Sequence, residues 1–290
     1  MLKVAVRARW LLALVGLALL GACLTVPRVH AFEGRGGDVV TIGPDEVIGD
    51  DLYVGAGTFT LDGTVEGDLV VFGSTITING TVEGDLIAAG QTVIVNGNVE
   101  DDARIAGFAL DIPGAIGDDV IAAGFSLEAR DESSIGGDIL FAGYQALLAS
   151  AIAGDVNATG GAVSIAGEVD GDVTVDVGGM ERGETVPPFY TFIPNLPAVP
   201  SVPAGLTIAE GAQIRGDLTY TANFEADVPG GVVAGRTDFN RYVPEAPEEK
   251  PAPSPSPAAR AARWSFRQFQ RLITFLLVGF LTMWLVPDWT

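Results

Sequence analysis

Histidine and cysteine are almost missing from this 290-residue chain. There is one of each, His30 and Cys23, both near its start. Beyond Ala31 no imidazole and no thiol is available. That excludes Ser-His-Asp and Cys-His catalysis, Cys/His zinc sites, haem ligation, thiol redox chemistry and a disulfide scaffold. Cations are scarce as well: 16 Lys and Arg face 37 Asp and Glu, for a net charge of −21. This sign argues against a nucleic-acid partner. Charged residues make up 18% of the chain and apolar ones 48%, a balance that supports a packed core rather than disorder. Carboxylates, hydroxyls, a few cations and backbone groups remain as chemical tools. The reading is of a structural or binding protein and not an enzyme: no catalytic, cofactor-binding or metal-binding residues are assigned, and no cofactor is expected.

The two ends carry membrane signals. Residues 1–31 read as a signal peptide: Lys3, Arg7 and Arg9 precede the apolar run Trp10 to Leu20, and Val29-His30-Ala31 offers small-residue cleavage before Phe32. Lipidation at Cys23, after Leu20-Gly21-Ala22, and an uncleaved anchor stay open for the same segment. At the other end, residues 264–290 hold the apolar run Leu272 to Val286 with Trp264, Trp284 and Trp289 at its flanks, which reads as a membrane helix, possibly the first of several. Arg260, Arg263, Arg267 and Arg271 precede it and read as headgroup anchors. Residues 244–263 begin with a Pro-rich linker, PEAPEEKPAPSPSPAA, expected to run as extended polyproline II. Together these place a membrane-anchored rod on the extracytoplasmic side.

The middle is a repeat. Asp51, Asp68, Asp85, Asp102 and Asp119 stand 17 residues apart, Asp138 follows after 19, and Asp155 and Asp172 after 17 each. A further copy surrounds Asp217, and Gly37-Asp38-Val39 reads as a partial copy ahead of the first. Counted from each Asp, apolar residues recur at +1, +3, +8, +10 and −3, for example Leu69, Val71, Ile76, Ile78 and Val65. Pairs two apart specify short strands and exclude helical repeats. Glycines at +5 (Gly73, Gly90, Gly107) and +12 (Gly63, Gly80, Gly97) mark corners and suggest positive φ there. The fold expected is all-β, a three-sided parallel β-helix of about 17 residues per coil. Nine coils would make a rod on the order of 40 Å long. The rod is expected over 32–177, an insertion over 178–213, and a last coil with a cap over 214–243.

Stacked copies such as Val65-Glu66-Gly67-Asp68-Leu69 and Val82-Glu83-Gly84-Asp85-Leu86 resemble the bactofilins, bacterial cytoskeletal proteins that polymerise end to end. The resemblance covers about 38–177 and 214–239. It implies a short-coil β-helix with neither catalytic residues nor nucleotide, in a membrane-anchored branch of that group. Self-association, a membrane and other envelope proteins are the partners it implies, and a scaffold for the cell envelope the role.

Two features stand out as sites. The Asp column would repel itself if dry, so its carboxylates must be hydrated, bonded to corner N–H groups or bridged by cations such as calcium, with hydrated turns favoured. The outward positions +2 and +4 should be polar on a solvated side. Here they include Tyr53, Val70, Phe72, Ile87, Ile121 and Leu140, while Phe108, Phe125 and Tyr144 at +6 form an aromatic stack in three successive coils. Such a strip marks an interface. Its occupant is either a partner or the aromatic, Pro-rich insertion carrying Phe189, Tyr190 and Phe192. The open coil ends leave strand edges unpaired, and head-to-tail or lateral self-association is expected. An exported glycan-binding or carbohydrate-active β-helix is the alternative function.

Overall fold

A computed structural model describes residues 33–178 and 197–243. They fold as a parallel β-solenoid, with no helix among them. Most coils contribute to two parallel ladders. One is a 13-stranded sheet whose path stacks eleven coils, and the other is a 9-stranded sheet of two-residue strands such as Thr64–Val65 and Thr81–Val82. The count exceeds the nine expected because coils form at both ends of the recognised repeat. The signal segment, the linker, the C-terminal apolar run and Phe189, Tyr190 and Phe192 lie outside the described residues. Among the described residues no helix is long and apolar enough to cross a membrane.

Each long strand is bent, and the hydrophobic pattern requires it. Leu69, Val71, Ile76 and Ile78 all point inward and are fully buried. The step from +3 to +8 is odd, so a straight strand would turn the second pair outward. The ladder shows where the bend falls: Gly73 pairs with Gly90 and then Thr75 with Thr92, passing over Ser74 and Gln91. In one coil the bend breaks the strand into Val156–Thr159 and Ala162–Ile165. The five inward columns predicted from sequence form one continuous core from Ile42 to Val232.

The corner glycines serve a different purpose from the one expected. Positive φ occurs among the described residues only at Gly205 and Gly231. At Gly97 the constraint is contact instead, because a Cβ there would overlap the carbonyl oxygen of Gly80 in the coil below. Coils stacked at ~4.8 Å bring backbone onto backbone at these corners, and only glycine leaves room.

Three coils carry a turn two residues longer at one shared corner. Glu46 N donates to Gly43 O, Ser133 N to Arg130 O and Ala212 N to Ala209 O, at 3.0, 3.1 and 3.1 Å. The second of these turns accounts for the 19-residue step before Asp138. The first corrects the reading of Gly37-Asp38-Val39 as a partial copy. Val40 and Ile42 must stack on Phe59 and Leu61, and that register pairs Val39 with Thr58 and takes Asp38 out of the Asp column. Within 178–213, Gly205–Ile208 pairs in parallel with Ala162–Ile165, so the coil resumes before Ile214.

The two ends of the solenoid are polar. In the first coil the inward columns +1 and +3 are held by Glu33 and Arg35, which pair with Leu52 and Val54. The Arg35 guanidinium binds Glu33 at 2.8 Å and Glu46 at 2.6 Å, and these two hydrogen bonds raise its pKa. At the other end the last strand, Thr237–Arg241, is polar except for Phe239, which packs against Tyr220 at a ring separation of 5.1 Å.

Candidate interaction face

The Asp column is built into the backbone. Oδ1 of Asp51 accepts the N–H of Asp68 at 3.0 Å, and Asp68 accepts that of Asp85 at 2.9 Å. The pattern repeats through Asp102, Asp119, Asp138, Asp155 and Asp172, and Asp217 accepts from Arg236 at 2.8 Å. Of the three sequence alternatives, bonding to corner N–H groups is observed along the whole column. A carboxylate in this position takes a donor that the coil corner would otherwise leave unpaired.

The column accounts for the Gly of Gly-Asp as well, since a Cβ on Gly84 would overlap Oδ1 of Asp68. Three coils carry Asp at that place, Asp50, Asp101 and Asp118. The Asp101 carboxylate gathers with Asp85 and Asp102, and that of Asp118 with Asp102 and Asp119, each trio within 4.8 Å. Repulsion from Asp119, aided by desolvation, holds the Asp118 carboxyl above its usual range. Arg104 offsets part of this charge, with its guanidinium on Asp85 and Asp102.

The apolar strip is real and exposed. Tyr53, Val70, Ile87, Arg104, Ile121 and Leu140 pair coil to coil in one column, and Phe72, Ala89, Ala106, Ala123 and Ala142 in the next. Phe72 is 57% exposed, Leu140 52%, Tyr53 43% and Ile121 41%. Ile87 is just exposed, and Val70 is half-buried. From Gly34 to Thr159 these two columns contain no carboxylate, although the described residues hold 31 Asp and Glu against six Arg. Around the bend, Phe108, Phe125 and Tyr144 stack at 4.6 and 4.8 Å, nearly parallel and half-buried. The structure therefore assembles the predicted residues into a strip and an adjoining aromatic column.

Sequence reasoning missed the contact next to that column. Gln145 is fully buried, and its Nε2 donates to Ser126 Oγ at 3.0 Å and to Pro200 O at 2.5 Å. Val202 is buried beside it in sequence at 1% exposure. The described end of the insertion thus meets the +7 column at Gln145, where Ala109 and Ser126 are buried as well, while Phe72, Ile121 and Leu140 stay exposed. The available signal was a lone glutamine at a position that carries Thr in earlier coils.

Farther round the coil, Arg130 clamps Asp111 with two bonds of 2.8 and 2.7 Å. Glu128 lies beside this pair; burial first, then Asp111, pushes its carboxyl up. A shallow groove of about 430 Å³ crosses the two-residue strands over Ala115, Ser134 and Ala151, bounded by Asn98 and Arg215. Comparison with family models, characterised proteins and solved structures finds no match for this chain.

Proposed function

We propose that this chain is a non-enzymatic, membrane-tethered structural rod that self-associates and scaffolds the bacterial cell envelope, as its likeness to the bactofilins implies. The solenoid serves as a three-sided body, inert in chemistry and presenting one apolar side. The carrying observation is the strip from Tyr53 to Leu140: exposed, apolar and free of carboxylates on a body where acids outnumber arginines about fivefold. A surface selected only for solubility would carry charge there as it does elsewhere. In this reading the N-terminal signal directs the body across the membrane, and the C-terminal apolar run supplies the tether.

The test is the particle mass of the full chain, purified in detergent, by light scattering across a wide concentration range, with membrane fractionation of the same cells. Mass rising with concentration, and recovery in the membrane fraction, are expected. A monomer throughout, or a chain that stays in the soluble fraction, would overturn the proposal.

A further inference from the structure

We infer that copies of this chain associate side by side, through the face carrying Phe72, Ile87, Ile121 and Leu140, and that the coil ends are closed to stacking. The inference rests on the self-association just proposed and names its geometry. The occupant of the face is a second copy of the same chain.

The ends are closed by charge. To stack end to end, a second copy would lay its last coil on the first. The columns that it would have to continue hold Glu33 and Arg35 there, tied to Glu46. Burying such a network costs several times what a surface ion pair returns. At the far end the Asp column stops. Asp217 accepts from the N–H of Arg236, and Arg236 has no carboxylate to receive the next coil's donor. Its guanidinium folds back onto Asp217 Oδ2 at 2.7 Å. The last strand adds Asp238 and Arg241. Inward charge and charged edge strands are the devices by which β-proteins block edge-to-edge growth.

The side face is open by the same criterion. Two such bodies repel each other wherever their acids meet, and the repulsion is least where neither carries one. The only charge in the strip is Arg104, and both arms of its guanidinium are held by Asp85 and Asp102 of its own chain. A face that meets its own copy makes an isologous contact, which closes at two. The strip spans five coil steps, about 24 Å, and two columns, about 7 Å apart. That is well below the ~800 Å² per partner of a standard stable interface. Pairing is therefore weak in dilute solution and is driven by high local concentration on a membrane.

The experiment is cysteine cross-linking of the full chain in membranes, in a Cys23→Ala background. Ala106→Cys reports the middle of the face, and its position at the centre of the strip makes it self-meeting whether the two bodies run parallel or antiparallel. Gly34→Cys with Asp238→Cys reports the ends, since both lie in the +2 column and would meet in a head-to-tail stack. The expected result is a cross-linked dimer from Ala106→Cys and none from the end pair. Ile121→Glu should cut the Ala106→Cys dimer by about tenfold or more, and Leu140→Lys should repeat this, with unchanged circular dichroism in both. Raising salt from about 50 to about 500 mM should increase the dimer, because screening relieves the repulsion between like-charged bodies.

Cross-links from the end pair, a face dimer indifferent to Ile121→Glu and Leu140→Lys, or a dimer that weakens with salt would each overturn the side-by-side geometry while leaving self-association in place. No cross-link at either location, together with a constant monomer mass, would overturn both proposals.

Discussion

The backbone N–H of Asp119 donates to Oδ1 of Asp102, one coil away, at 3.0 Å. The same carboxylate receives an arm of Arg104 on its other oxygen. One side chain thus completes a corner of the coil above and spreads its charge onto a guanidinium.

That double duty can be separated. Asp102→Ala leaves the Asp119 N–H without its acceptor and is expected to cost about 1–3 kcal/mol. Asp102→Asn keeps an oxygen in place and should cost less than half as much. Chemical denaturation followed by circular dichroism checks both. Equal losses would mean that the Arg104 pairing, and not the N–H bond, is what matters.

Gly97→Ala introduces a Cβ onto the Gly80 carbonyl of the next coil. Neither partner is the tip of a flexible side chain, so the coils must separate locally. A loss of about 1–3 kcal/mol is expected, as for other overpacked sites. Gly55→Ala is the control, since a Cβ there meets nothing within 4 Å, and its denaturation midpoint should barely move.

Leu86→Ala removes a fully buried side chain from the +1 column between Leu69 and Ala103. The cavity should cost about 2–5 kcal/mol. Because each coil is stabilised by its neighbours, the loss should appear first as faster hydrogen exchange in the coils on either side, with the distant coil at Ile139–Leu148 little changed. Uniform deprotection along the whole body would contradict this.

Glu128 gives a pH-dependent case. Burial and Asp111 hold its carboxyl above its ordinary value of 4.5, so the fold is penalised when the group ionises. The penalty is absent below the unfolded pKa and complete above the folded one. Glu128→Gln is therefore expected to raise the melting temperature at about pH 7 and to give no gain at about pH 3. A gain that persists in acid would trace to packing instead.

How much was legible depended on periodicity. Val65, Leu69, Val71, Ile76 and Ile78 announced their burial because inward residues repeat in every coil and a single chain pattern repeated many times averages out local exceptions. The exposed strip was legible for the same reason in reverse: Phe72, Ile121 and Leu140 stand where a solvated coil would place polar groups. Gln145 was not legible, because its partner Pro200 lies 55 residues away and no local pattern reports so distant a contact. The Glu33–Arg35–Glu46 network was hidden because its members look like ordinary surface charges until Val40 and Ile42 set the register of the first coil.

From the sequence by itself came the class of fold, the inward columns and the corners, since each follows from a spacing that steric and hydrophobic rules translate directly. Only the tertiary structure decided what the corner glycines are for, how the Asp carboxylates are used and how the ends are finished. Those questions turn on the distance between one coil and the next, and stacking distance is a property of the folded body that no segment of the chain contains.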